Sequence, residues 1–208
     1  MDLLVPYYEH PADRPAEWDA IIAAAPLLYG VVLNPASGAG PAPDPAFVTV
    51  ADRLRAAGVC VLGYTDTDYG RRPHADVLTD LVRHRDWYGA DGAFLDQVPT
   101  DPHLAPHYRR LGVAARAAGA ATLVLNHGAH PHPAYAELAD LLVTFEGPWD
   151  AYRALDLPVA DHYCHLVYAA PPDADARVST RVRCAVPGAG SHPWGTLPHV
   201  LAGGGRRA

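Results

Sequence analysis

The stretch GAFLDQVP, residues 92–99, decides the fold. Ala93-Phe94-Leu95 reads as a short buried strand, yet it stops on a carboxylate and an amide, Asp96 and Gln97, before Pro99 breaks the ladder. A strand covered on both faces in a parallel sheet is a near-continuous apolar run, so charge on it belongs at an exposed tip or in a site. Comparable runs cover 3–8, 28–35, 59–67, 121–128, 141–147 and 165–170. From the second run to the sixth, each closes on polar or aromatic residues: Asn34, then Tyr64-Thr65-Asp66, Asp96-Gln97, Asn126-His127 and Glu146.

Amphipathic segments separate these runs. In the clearest, Asp44-Pro45 supplies an N-cap and a first-turn proline, Phe47, Val50, Ala51 and Leu54 form one apolar stripe, and Gly58 is the stop. Weaker helical patterns occupy 14–25, 73–88, 106–118, 133–140, 149–155 and 173–185. Repeated strand-helix alternation with hardly any hairpin signal means parallel strands with right-handed crossovers. Strand ends that all carry polar groups favour a closed α/β fold, a compact (β/α)8 TIM-type barrel, over an open sheet, which uses only its switch point. The eighth strand is expected to be short or degenerate, within the glycine- and proline-rich stretch 185–195. One barrel domain is predicted over 1–202, with a disordered tail at 203–208.

The bulk composition narrows the partners. A formal charge of −7, with 16 Lys and Arg residues scattered along 208, leaves no basic footprint for nucleic acid. No apolar run approaches the roughly 18 residues of a membrane span. Met1-Asp2 leads straight into Leu3-Leu4-Val5 without a basic n-region, which predicts a cytoplasmic monomer for the chain as written. A polysaccharide substrate would instead imply secretion and a leader trimmed away. Cys60, Cys164 and Cys184 lack metal-site spacing and read as reduced packing residues.

In a barrel, Asp96 and Glu146 end strands four and six, and alternate strands feed the same interior layer. Two carboxylates facing one another are the minimal equipment for cleaving a glycosidic bond, one protonated and one ionised. The structural alternative for each is a loop cap or an arginine partner. Tyr7, Tyr8, Tyr64, Tyr69 and Trp149 fall at or just past strand ends, where their faces suit pyranose rings or pack under loops equally well. Asn34, Asp66, Gln97, Asn126 and His127 complete the expected substrate-binding set. His127, His130 and His132 (H-x2-H-x-H) sit in a proline-containing loop without a fixed carboxylate, so solvated histidines are expected there rather than a metal. Ser37-Gly38-Ala39-Gly40 is followed by Pro41 and Pro43 and no lysine, which makes it a turn-rich loop rather than a phosphate cradle.

Taken in order, PYY (6–8), VVLNPASGAG (31–40), VLGYTDTDYGRR (61–72), DWYGADGAFLDQ (86–97), LNHG (125–128), TFEG (144–147) and TLPHVL (196–201) make the chain resemble the spherulin-4-like glycoside hydrolases. The resemblance implies a (β/α)8 barrel that cleaves galactosamine-containing polysaccharides internally without a cofactor. It also implies Asp96 as nucleophile or stabiliser and Glu146 as general acid/base. Two positions depart from the family pattern: Gln97 replaces the second acid of an Asp-Glu pair, and Asn126-His127-Gly128 replaces Asn-Pro-Gly. Gln97 keeps open a carbohydrate-binding pseudoenzyme on the same scaffold. The histidine loop leaves a metal-dependent barrel hydrolase as the more distant alternative.

Overall fold

The structure, a computed structural model, describes residues 2–202. The tail expected at 203–208 lies outside the described residues. Eight parallel strands close in chain order: β1 (Asp2–Pro6), β2 (Leu28–Leu33), β3 (Val61–Asp66), β4 (Gly92–Asp96), β5 (Thr122–Asn126), β6 (Leu141–Pro148), β7 (Tyr163–Tyr168) and β8 (Val182–Ala185). β8 pairs back onto β1 through Asp2 with Val182 and Leu3 with Arg183.

Alternation along the strands makes the core. Leu4, Val32, Leu62, Phe94, Val124 and Cys164 point inward and fill the barrel. The residues between them face the helices, Leu3 and Val31 toward one apolar layer and Ala93 and Leu123 toward another. From β1 to β5 the buried inward residues are even-numbered, so Tyr8, Tyr64, Asp96 and Asn126 inherit the inward direction at the C-terminal ends.

The outer layer consists of α1 (Pro15–Ala23), α2 (Pro45–Ala56), α3 (His74–Tyr88), α4 (Ala105–Ala117) and the short α5 (Trp149–Tyr152) and α6 (His199–Ala202). In α2 the Asp44 carboxylate accepts from the N–H groups of Ala46 (2.8 Å) and Phe47 (3.4 Å), and Phe47, Val50, Ala51 and Leu54 are the buried stripe. α3 approaches β3 so closely that a Cβ on Gly63 would lie 2.4 Å from His84 Cγ. The His84 ring donates from Nε2 to the Tyr64 carbonyl at 2.7 Å.

Two sequence expectations need correction. Residues 133–140 form only a 3-10 turn, Pro133–Tyr135, and the Asp140 carboxylate, accepting from Leu123 N–H, ties the end of the segment back to β5 in a tight crossover. The stretch 173–185 is a 3-10 turn, Ala174–Arg177, followed by β8. The eighth strand therefore precedes the glycine-rich stretch. Val182 and Cys184 alternate into the barrel there, a period of two that is too short to separate from a helical pattern by eye.

Candidate functional site

The C-terminal mouth brings together Tyr8, Tyr64, Asp66, Asp96, Asn126 and Glu146. β3 and β4 pair in register, Asp66 opposite Asp96. The Tyr64 hydroxyl donates to Asp96 Oδ2 at 2.7 Å, and its ring stacks over Phe94 with centroids 6.3 Å apart. Asn126, 6% exposed at the end of β5, donates from Nδ2 to Asp96 Oδ1 at 2.7 Å and to Glu146 Oε2 at 2.6 Å. Its own carbonyl accepts from Gly128 N–H at 3.0 Å, which fixes the amide's orientation. One nitrogen bonded to both acids sets the two oxygens it binds roughly 4.5 Å apart.

Glu146 reaches the mouth through an irregularity. Leu141 and Val143 point into the barrel, so strict alternation would send Phe145 inward and Glu146 out. The β6–β7 register shifts between Val143 and Phe145. That bulge turns Phe145 into the outer layer with Tyr152 and Val167 and re-aims Glu146 at Asn126. A residue that the sequence reading did not single out completes the contact: Trp194 Nε1 donates to Glu146 Oε1 at 3.1 Å. It lies in an aperiodic Gly/Pro loop, where no pattern points inward, and the N–H of Tyr8 donates to its carbonyl at 3.1 Å.

Burial is the main influence on both acids and raises them above the ordinary carboxylate range. For Asp96, bonds from Tyr64, the Gln97 N–H and Asn126 pull the other way, and the Asp66 charge raises it further. For Glu146, the Asp96 charge adds to burial, and only Asn126 and Trp194 oppose it. Of the two, Asp96 has the larger donor set to hold a negative charge. The Tyr8 phenol is raised well above its usual value, first by burial and then by Asp96 and Glu146, so it faces both acids. Its ring meets Tyr64 edge-on at 5.8 Å.

Backbone strain gathers at the same end of the barrel. Among the described residues, the non-glycine positions with positive φ are Ser37, Asp68, Tyr69, Gln97 and Ala169, and each lies in a loop leaving the C-terminal end of a strand. Such conformations cost of order 1–3 kcal/mol each and persist where a site over-determines them. At Gln97, φ is 54°, so the chain bends directly after Asp96, and the Gln97 carbonyl accepts from Tyr69 N–H at 2.9 Å and Thr67 Oγ1 at 3.0 Å.

The remaining expected site residues are placed otherwise. Tyr7, adjacent to the inward Tyr8, is turned outward by alternation, packs edge-on against Trp18 at 5.3 Å and borders a groove of about 1070 Å³ between α1 and α6. Trp149 opens α5 in the outer layer, stacked on Tyr152 at 5.9 Å under the Arg177 guanidinium. Asn34 directly follows β2 but spends its side-chain carbonyl on Gly38 N–H at 2.8 Å, closing the following loop. Tyr69 is half exposed on the β3–α3 loop beside Arg71. His127 donates from Nδ1 to the Pro99 carbonyl at 2.9 Å and lies against Tyr135, with burial lowering it to about 4. His130 packs on Tyr163, and His132 accepts from Ala134 N–H. The three histidines of that loop thus turn to three different partners. Among the described residues no helix is long and apolar enough to cross a membrane.

Comparison with known proteins bears on the family and the fold. A sequence profile described as Spherulation-specific family 4 matches residues 2–190. Spherulin-4 of Physarum polycephalum is 33% identical over 149 residues, 69% of this chain but 44% of that protein, so the match spans less than half of the relative's length. Among solved structures, Aspergillus clavatus Sph3 in complex with GalNAc superposes with a TM-score of 0.81 at 21% identity, covering 95% of this chain and 92% of that one. A GH18 chitinase from Pseudoalteromonas aurantia superposes at 0.53 and 10% identity, covering 89% and 93% of the two chains. At these identities the structural likenesses speak for the fold, a (β/α)8 barrel. By the profile match over nearly its whole length, the chain belongs to spherulation-specific family 4.

Proposed function

We propose that this barrel is a glycoside hydrolase that cleaves an amino-sugar polymer internally at the C-terminal mouth, with Glu146 as general acid/base and Asp96 as the ionised partner. The observation that carries the reading is the single Asn126 amide bonded to both carboxylates. Sharing one donor, the two carboxylates lie close enough to act on the same glycosidic bond, one as acid and one as ionised partner. Glu146, raised by burial and by Asp96, holds the proton for the leaving oxygen. Asp96, supplied with three donors, carries the negative charge that stabilises or traps the cationic sugar. Galactosamine or N-acetylgalactosamine polymers are the substrate class, supported by family membership and by the GalNAc bound to Sph3.

The test is turnover on galactosamine-containing polymers by the parent and by Glu146→Gln. The variant is expected to keep the circular dichroism of the parent and to lose about 10²–10⁴-fold in rate. Parent-like rates in that variant would remove Glu146 from the chemistry. Gln97, which stands where the family carries a second acid, motivates the rival reading of a sugar-binding scaffold. Saturable polymer binding without product from the parent would establish that rival.

A further inference from the structure

We infer that Trp194 is a positioning residue for Glu146, fixing by its indole N–H which way the acid presents its proton. The inference rests on the reading of Glu146 as proton donor. Both oxygens of Glu146 are contacted by groups that can only donate: Trp194 Nε1 at Oε1, 3.1 Å, and Asn126 Nδ2 at Oε2, 2.6 Å. An indole has no acceptor. Asn126 cannot turn its carbonyl toward Glu146 without breaking its bond from Gly128 N–H. A protonated Glu146 therefore finds no acceptor in either neighbour. Its O–H is left to meet an incoming glycosidic oxygen, in an orientation that the two donors dictate.

The indole is itself held. Trp194 is 6% exposed and packs within the inward-facing core beside Leu166 and Cys184, with Tyr168 edge-on at 6.2 Å. Its loop is tied on both sides of the barrel seam. Tyr8 N–H donates to the Trp194 carbonyl at 3.1 Å, Gly188 N–H to Thr196 Oγ1 at 2.9 Å, and Ala169 N–H to the Gly188 carbonyl at 2.6 Å. The space at Gly188 is closed, since a Cβ there would lie 2.0 Å from the Pro193 carbonyl oxygen. The loop after β8 thus serves as a rigid arm carrying one donor to the acid from outside the carboxylate pair.

Two measurements on the full chain test this. In the first, Trp194→Phe keeps the ring's packing and removes the N–H. Its kcat on the polymer is expected to fall about tenfold to a hundredfold with KM near the parent value, and the alkaline limb of its pH profile to move upward, because a donor to the ionised form is gone. In the second, the Nε1–H proton resonance of Trp194 in the parent is followed against pH without any substrate. It is expected to shift with the same midpoint as the Glu146 carboxyl carbon and to stay flat in Glu146→Gln. A Trp194→Phe enzyme with the parent's kcat and pH profile, or an indole resonance indifferent to Glu146 ionisation, overturns the inference. If the parent cleaves no polymer, the hydrolase reading fails separately and the indole titration alone decides the contact.

Discussion

Asn126 has two donor hydrogens, and each is given to a different acid. That arrangement stabilises charge on Asp96 and Glu146 while burial works against it, and it leaves no margin for a change of sign at position 126. Asn126→Asp replaces the shared donor with a fourth carboxyl beside Asp96, Glu146 and Asp66. An unpaired buried charge costs about 3 kcal/mol or more. The variant is therefore expected to be less stable than the parent at neutral pH, to recover on acidification as the cluster takes up a proton, and to have lost turnover at both. Urea unfolding at two pH values measures the first effect and polymer hydrolysis the second. Tyr7 and Tyr8 show what a single residue's identity conveys. Both are aromatic and both adjoin the end of β1, but alternation allows only one to face the mouth, and the inward parity of Leu4 assigns it to Tyr8.

At the scale of elements, a strand places a catalytic group well only if its register and backing are fixed. β3 is backed by α3 through the Gly63–His84 contact, where the absence of a side chain on Gly63 admits the imidazole to the strand's carbonyl. Gly63→Ala must displace His84 or lift α3. The expected cost is about 1–3 kcal/mol, with a lowered melting temperature and weaker protection of the α3 amides in hydrogen exchange. A melting temperature equal to the parent's would mean that α3 is not tied to β3 in this way. The seven apolar runs were legible because each is bounded by polar or turn residues, and α2 because its cap, proline and stripe all agree. The bulge in β6 was not, since Thr144 looks like any β-branched strand residue and only the β7 register reveals the shift. Glu146 was thus expected at the right strand end, but an unbroken alternation would have pointed it outward. Trp149 misled for the opposite reason. It stands just beyond the strand, where α5 has already carried the chain into the outer layer.

For the whole molecule, buried histidines set the acid limit of the fold. His84, His127 and His165 are each lowered by burial from 6.5 to about 4. Folding therefore holds them neutral while the unfolded chain protonates them near 6.5, so the unfolded state binds more protons and stability falls as pH drops from that value toward 4. Asp96 and Glu146 act in the opposite sense. Their folded values are raised, so their burden on the fold is greatest at neutral pH and is relieved as they protonate. The two trends are separable because His84 lies apart from the acids, between α3 and β3. For His84 alone the expected loss between pH 7 and pH 5 is roughly 2 kcal/mol. Urea unfolding of the parent should show stability declining over that interval, and the decline should be smaller by about that amount in His84→Gln, whatever the variant's absolute stability. Equal pH dependence in parent and variant would show that His84 takes up its proton in the folded barrel at the same pH as in the unfolded chain. Below that pH its bond to the Tyr64 carbonyl would be a charged one, and the acid sensitivity of the fold would have to come from the other two histidines.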